Sequence, residues 1–414
     1  MSQGVEVRDG RVEESERSEG DDVGLRVIVG KRQAVVSTND VAGDAVTRLA
    51  ERAVAMARVA PDDAYVGLAD PALLARSFPN LDLLDPDMPS TVELEQRALA
   101  AEAAGLAVAG VTKSGGASAS CGIGGMVLVT SSGFHGAYLR SCQGISMTAI
   151  AGEGTGMERD YDYSSAIHGA DLLAPADIGA RAGARAVARV NPRKVATCKV
   201  PVVYDPRVSN SLVGHVVGAA NGASIARKTS FLKDSLGKQL FGSGIRIIDD
   251  PLRVRGLRSQ PFDAEGVAVK PLAIIDGGVL TSWLLDSATA RELGLATTGH
   301  AHRGVSSSPS PGAYNLHMEP GRLTPAELMA DIKEGFYITD LIGSGVNGVT
   351  GDYSRGAAGF WIENGKPTYA VSEVTIAGHL LEMFKSLTPA NDLEFRYGVN
   401  APTVRIEGLT IAGR

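Results

Sequence analysis

Histidines pose the first chemical question. His300 and His302 stand two apart in Gly299-His300-Ala301-His302, and on a strand such a pair presents both imidazoles on one face, a metal-binding geometry. With His317 farther along, they are the metal candidates of this region. Zinc takes three or four donors, however, and the segment Arg303 to Pro311 is a Ser/Pro-rich loop with no acidic base close by. A structural role is the plainer reading. His215 is alone in Gly214-His215-Val216-Val217-Gly218-Ala219-Ala220; one imidazole seldom holds zinc, so a core or interface histidine is expected. Gly343-Ser344-Gly345-Val346-Asn347-Gly348 matches Gly-x-Gly-x-x-Gly, but a dinucleotide site needs a helix to follow. Val349-Thr350-Gly351-Asp352 starts a helix poorly. A glycine-rich turn between strands is predicted instead. The sequence has no Gly-x-Ser-x-Gly elbow and no phosphate-loop Gly-Lys-Ser/Thr, which removes the serine-hydrolase and P-loop readings.

Elements must position these residues, and composition bounds what they build. A chain of 414 residues holds two or three domains. It is 44% hydrophobic and 21% charged, as soluble globular proteins are. A net charge of −7 argues against nucleic acid or an anionic membrane as main partner. No apolar run reaches the ~18 residues that span a bilayer, and the opening segment, Met1 to Gly20, is polar and acidic rather than signal-like. Cys121, Cys142 and Cys198 form no close pair and leave an odd count, which fits a reducing cytoplasm. Fifty glycines imply many tight turns.

Short alternating runs from Val5 to Thr38, broken at Asp9-Gly10 and Gly30-Lys31, predict a meander of antiparallel strands. Asp40 can cap a helix to about Ala60. Phe78 to Pro89 reads as a loop, and Ser90 and Glu93 have capping-box spacing for an Ala-rich helix to about Ala109. Glycine-punctuated strands fill Gly115 to Gly152, and a third helix spans Pro175 to Val190. After Asn191 to Lys199 as linker come a strand at Val200 to Tyr204 and a helix from about Ser209 to Arg227. Mostly strands follow: Ile245 to Ile248, Gly266 to Ile275, Val279 to Leu285, Gly335 to Ile342, Gly359 to Glu363 and Thr403 to Ile411. Asp276-Gly277 and Asn364-Gly365 are hairpin turns. The fold class is α+β: an N-terminal α+β domain over 1–190 and a mainly antiparallel β domain over 200–414. Without βαβ alternation, a doubly wound sheet is not expected.

The stretch Gly351-Asp352-Tyr353-Ser354-Arg355-Gly356-Ala357-Ala358-Gly359-Phe360-Trp361, with Val371-Ser372-Glu373-Val374 after it, resembles the C-terminal signature of the TldD/PmbA metallopeptidase family, in its PmbA (TldE) branch. Met157-Glu158-Arg159-Asp160-Tyr161-Asp162-Tyr163, Arg227 to Gln239, Asp249-Asp250-Pro251, Pro261 to Gly266 and Thr298 to Ala301 follow the family order, so the resemblance covers nearly the whole chain. The family's leading helical segment is expected to be missing, which would leave the Val5 to Val7 strand with an uncovered edge.

The resemblance implies a cytosolic protease built from unlike subunits. In the TldD branch a His-Glu-x-x-x-His helix holds zinc, which lowers the pKa of a bound water to about 7. Here the corresponding positions are His215, Val216 and Ala220, and no cysteine occupies Ala390 to Arg396, where that branch supplies a further ligand. The resemblance thus implies no catalytic or metal-ligating residue in this chain. It places zinc in a TldD-type partner and makes unfolded proteins or peptides, including modified peptide precursors and antitoxins, the substrates. Asp352, Tyr353, Ser354 and Arg355 are the signature residues, and a charged pair between Asp352 and Arg355 is expected to order a glycine-rich turn. The other reading is a non-enzymatic regulator, a modulator of gyrase acting through protein contacts.

Overall fold

The computed structural model describes residues 1–413. Strands β1 (Ser2–Arg8) and β2 (Arg11–Ser18) form a hairpin. Its turn, Asp9-Gly10, has positive φ at both residues, as a two-residue hairpin loop requires. The buried Glu102 carboxylate accepts from both turn amides, at 2.9 and 2.8 Å. The expected meander stops there. Strands β3 (Val23–Val29) and β4 (Arg32–Thr38) pair only with each other, under helix α1 (Ala45–Val59), whose Leu49 and Ala53 pack on Val36. Helix α1 begins later than Asp40, whose carboxylate instead accepts from the Ala42 amide at 3.0 Å.

The first hairpin joins a five-stranded antiparallel sheet with β5 (Val111–Val129), β6 (His135–Ala151) and β7 (Glu158–Ala166), in the order β2-β1-β5-β6-β7. Helices α2 (Thr91–Leu106) and α3 (Pro175–Arg189) pack against this sheet. Ser90 and Glu93 close the capping box on α2 as predicted. The two helices touch backbone to backbone: a Cβ on Gly179 would lie 1.9 Å from the Ala101 carbonyl oxygen. Val5 and Val7 are fully buried here with Leu94, Ala98, Ile145 and Ile178. The uncovered edge expected for that strand is absent, because β2 and β5 flank it.

The chain then enters β8 (Cys198–Tyr204), helix α4 (Pro206–Ala219) and the short helix α5 (Gly222–Ala226). The single helix expected over 209–227 is therefore two. Asn221 breaks it with extended backbone, and its side chain caps α5 by accepting from the Ala223 amide at 3.0 Å. A small sheet runs β11-β10-β9-β14-β19, from β9 (Ile247–Asp249), β10 (Leu272–Asp276), β11 (Val279–Leu280), β14 (Leu316–Met318) and β19 (Val399–Asn400). Between these, β12 (Ala301–His302) and β13 (Ser310–Pro311) pair with each other. The larger sheet runs β17-β16-β15-β8-β20-β18, from β15 (Glu334–Ile342), β16 (Asp352–Glu363), β17 (Lys366–His379), β18 (Thr388–Pro389) and β20 (Val404–Ala412). Because β17 also pairs with β20, five of these strands close on themselves. The Asn364-Gly365 turn is where it was predicted, while the other falls one residue later than expected, at Gly277-Gly278 between the paired Asp276 and Val279. Pairing is antiparallel except at β8–β15 and β14–β19.

Charge joins the two halves at the start of α4. Arg207 Nη1 lies 2.7 Å from Asp160 Oδ1 of β7, and Arg189 of α3 reaches Asp160 at 3.4 Å and Asp340 of β15 at 3.1 Å. Asp162, two residues along β7, meets Arg181 at 2.8 Å, Arg185 at 3.0 Å and Arg396 at 3.2 Å. The alternation of β7 puts both carboxylates on its buried face.

Candidate functional site

Helix α4 turns Leu212, Val213, Val216 and Ala220 into the core of the closed sheet, with Val202, Ile338 and Ile376. His215 is left at the margin, half-buried between the exposed Gly214 and Gly218. Its ring meets Tyr353 edge-on, with centroids 6.0 Å apart. Tyr353 and Arg355 point the same way from β16, being two residues apart on a strand. Tyr204 ends β8 nearby, fully buried.

The polar atoms of this cluster are unsatisfied. His215 Nε2, the Tyr204 and Tyr353 hydroxyls and Arg355 Nε have no hydrogen-bond partner among the described residues. An orphaned buried polar group costs about 1–3 kcal/mol, so the fold tolerates several such penalties here. Burial, and secondarily the Arg355 guanidinium, pushes His215 down to about 4, so it is a neutral imidazole at pH 7. Burial, with the Tyr353 phenol beside it, raises Tyr204 well above the ordinary tyrosine value; burial also raises Tyr353, against the opposing influence of Tyr204 and Arg355. What assembles is a neutral imidazole and two neutral phenols around one guanidinium. A single imidazole beside a permanent cation does not fit zinc, which takes three or four N, S or O donors. Val216 and Ala220, at the other two motif positions, present only hydrocarbon to the core.

The signature residues behave differently from the expected ion pair. Asp352 and Arg355 lie within β16 rather than in a turn, and residues three apart on a strand face opposite sides. Asp352 accepts from Thr350 Oγ1 at 2.6 Å, and Arg355 Nη2 reaches the Leu341 carbonyl at 3.5 Å. Ser354 donates its amide to the Gly345 carbonyl at 2.7 Å. The glycine-rich run before them is the predicted turn: a Cβ on Gly345 would sit 1.6 Å from the Ser354 oxygen, so no other residue fits there. Asn347 ties that turn by accepting from the Val349 amide at 2.9 Å.

His300 and His302 do lie together, both against Tyr314, at 5.3 and 4.6 Å between ring centroids. His300 is fully buried, with Nδ1 2.8 Å from the Thr298 carbonyl and Nε2 3.4 Å from Asp249 Oδ2. His317 packs elsewhere, on Phe395. Among the described residues no group of three His, Cys, Asp or Glu side chains is arranged to hold a metal ion. The cysteines are all free, Cys121 buried and Cys142 exposed. From the sequence, Tyr204 is only the end of a strand and Arg355 half of an ion pair. The period-2 alternation of Tyr353, Arg355 and Ala357 was the available signal.

Three family models tile the chain: PmbA/TldA metallopeptidase domain 1 over residues 2–57, the central domain over 83–190 and the C-terminal domain over 197–413. The metalloprotease PmbA of Escherichia coli O157:H7 is 39% identical over 412 residues, covering 99% of this chain and 90% of that one. This chain belongs to the PmbA/TldD family. A metalloprotease PmbA homolog of Haemophilus influenzae is 36% identical, over 99% of this chain and 89% of its own length. The PmbA fold also matches a crystal structure of a putative modulator of DNA gyrase from Bacteroides thetaiotaomicron. That match has a TM-score of 0.92 and 27% identity, over 100% of this chain and 92% of that one. TldE from Thermococcus kodakarensis superposes with a TM-score of 0.87 over 100% and 95% of the two chains; at 19% identity the likeness is one of fold. Among the described residues no helix is long and apolar enough to cross a membrane.

Proposed function

We propose that this chain is the PmbA/TldE-type subunit of a heteromeric cytoplasmic zinc metalloprotease that cleaves unfolded proteins or peptides. In this reading zinc, its ligands and the water-activating glutamate belong to a TldD-type partner. The observation that carries it is the state of α4. The helix is intact and tightly packed, yet two motif positions face the core and the Arg355 guanidinium stands beside the one histidine. A fixed cation opposes a divalent ion at short range, the more so where water is scarce. This chain then shapes and walls the chamber while the partner performs hydrolysis.

The test is to express this chain with and without a zinc-bearing sister subunit, separate the products by size, and assay each fraction on unfolded casein. Activity is expected only in the mixed fraction, with zinc well below one per copy in this chain alone. Full activity of the sister chain by itself, or separate elution, overturns the reading. Those outcomes favour a non-enzymatic regulator. The name of the Bacteroides structure, a putative modulator of DNA gyrase, keeps that second reading in view. With a charge of −7, such a regulator acts through protein contacts rather than on DNA.

A further inference from the structure

Helix α4 turns a bare face outward. Leu212, Val213, Val216 and Val217 pack inward, whereas Gly214 and Gly218, about one turn apart, are exposed. A Cβ at either glycine would meet nothing within 4 Å, and neither has left-handed backbone. Internal packing and backbone conformation thus leave room for alanine at both positions. Glycine weakens a helix interior relative to alanine, so the pair lowers the stability of this helix. At Gly179 the same residue type has a visible reason, since a Cβ there would strike the Ala101 carbonyl oxygen of α2. At α4 the chain supplies no such neighbour. Beside the bare face stands an unanswered cation. Arg355 is half-buried, and its one hydrogen bond among the described residues is the long one to the Leu341 carbonyl. No carboxylate among those residues lies within 4 Å of it. The fully buried Tyr204 and Tyr353 keep hydroxyls without partners in the same cluster. Two exposed apolar side chains stand nearby. Ile342 pairs with Gly356, next to Arg355. Val349 belongs to the glycine-rich turn, which is tied to the end of α4: Phe231 donates its amide to the Gly348 carbonyl at 2.9 Å, and Ser230 Oγ donates to the Ala219 carbonyl at 2.6 Å.

We propose that the outer face of α4, at Gly214 and Gly218, is where the zinc-bearing sister subunit docks, with a backbone segment of the sister crossing the glycines and one of its carboxylates pairing with Arg355. The idea rests on the protease-subunit reading and names the surface through which that reading works. The space above the glycines is open, which fits a protein face rather than an enclosed small molecule. A helix face without side chains lets another backbone approach closely. The guanidinium fork matches a carboxylate in a bidentate manner, and a charge pair of that kind fixes the register of two surfaces. Ile342 and Val349 add apolar area beside it. Charge also selects an unlike partner over a second copy. In a two-fold dimer the same patch meets itself, so a dimer built through this face would turn one unpaired Arg355 towards the other. A sister chain that brings a carboxylate avoids that repulsion.

The experiment titrates a fluorescently labelled TldD-type sister subunit with the purified full chain, and records the melting temperature of each variant alone. Gly214→Ala combined with Gly218→Ala should melt a few degrees higher alone, yet bind the sister about tenfold more weakly. Gly214→Gln combined with Gly218→Gln, with longer side chains on the same face, should weaken binding by about a hundredfold or more. Arg355→Gln should weaken it by about tenfold at unchanged melting temperature, and flatten its dependence on salt. A role confined to folding predicts no such split, because stability and association would move together. Unchanged affinity in both glycine variants overturns the proposal. So does an alanine variant that melts lower alone, since the fold itself would then need the glycines. Both outcomes leave the subunit reading standing while the unmodified chains associate; if those elute apart, the two readings fall together. Unchanged subunit affinity with a raised KM for unfolded casein gives the face to substrate and likewise overturns docking of the sister.

Discussion

Helix α4 begins in one kind of polar cluster and passes through another. At its first turn Arg207 is held by Asp160, and every buried charge there has an opposite charge within 4 Å. Two turns later His215, Tyr204, Tyr353 and Arg355 gather with no partner for their key atoms. The first cluster joins two halves of the molecule. The second joins nothing. Charges paired within reach of one another hold a fold together even where a single atom such as Arg207 Nε lacks a hydrogen bond, whereas a cluster of polar groups with neither bonds nor opposite charges does not. The same helix therefore carries an ion-paired junction and a polar cluster without ion pairs, and each can be perturbed without the other.

The junction should give the largest effect. Asp160→Ala removes a carboxylate that is 2% exposed and touches two guanidiniums. We expect a loss of about 3 kcal/mol in urea unfolding, the low end for a broken buried ion pair. The low end applies because Arg207 keeps Asp205 at 3.6 Å and Arg189 keeps Asp340 at 3.1 Å. A loss below about 1 kcal/mol would show the cluster to be solvated, and the contrast along α4 would collapse.

Acid should affect the second cluster through His215. Its folded value of about 4 lies below the ordinary 6.5, so the unfolded chain takes up a proton that the native one refuses. This contribution to stability is complete above about pH 6.5 and is lost as pH falls toward 4. The shift amounts to about 3 kcal/mol in full, trimmed to roughly 2 by partial exposure. His215→Gln should flatten the pH profile of unfolding over that window. Arg355→Met should raise the value read for His215 by NMR titration, though not to 6.5, since burial is the larger cause. An unmoved His215 would separate the guanidinium from the imidazole and undo the cluster.

Signature residues should give the smallest effects. Tyr353→Phe deletes a buried hydroxyl without a partner, so stability should hold or rise by up to about 1 kcal/mol. Asp352→Ala removes an exposed side chain with one local hydrogen bond, a change of about 0.5 kcal/mol or less. A marked loss from either, read by thermal melting, would show that the signature stabilises this fold through contacts beyond those described.

Much of the fold was legible from local chemistry. The capping box at Ser90 and Glu93, the Asn364-Gly365 hairpin and the helix from Pro175 depend on residues within a few positions of one another, and all three stand as read. Readings failed where a distant group intervened. The strand expected from Gly266 begins only at Leu272, because the Asp263 carboxylate accepts from the Glu265 and Val267 amides and holds that backbone in a loop. The expected 209–227 helix breaks at Asn221, whose side-chain amide donates to the Pro311 carbonyl at 2.7 Å.

Sequence alone determined the α+β class, the acidic surface, the family resemblance and the apolar residues that flank His215 on its helix. These follow from composition, from order along the chain and from the side-chain period of each element, none of which needs a long-range contact. Only the tertiary structure decided that Asp352 and Arg355 face apart, that His300 meets Asp249 and that Arg355 is the cation beside His215. Whether a polar group finds a partner depends on which strand lies next to it and in what register, and a single-residue shift would turn Arg355 to the opposite face.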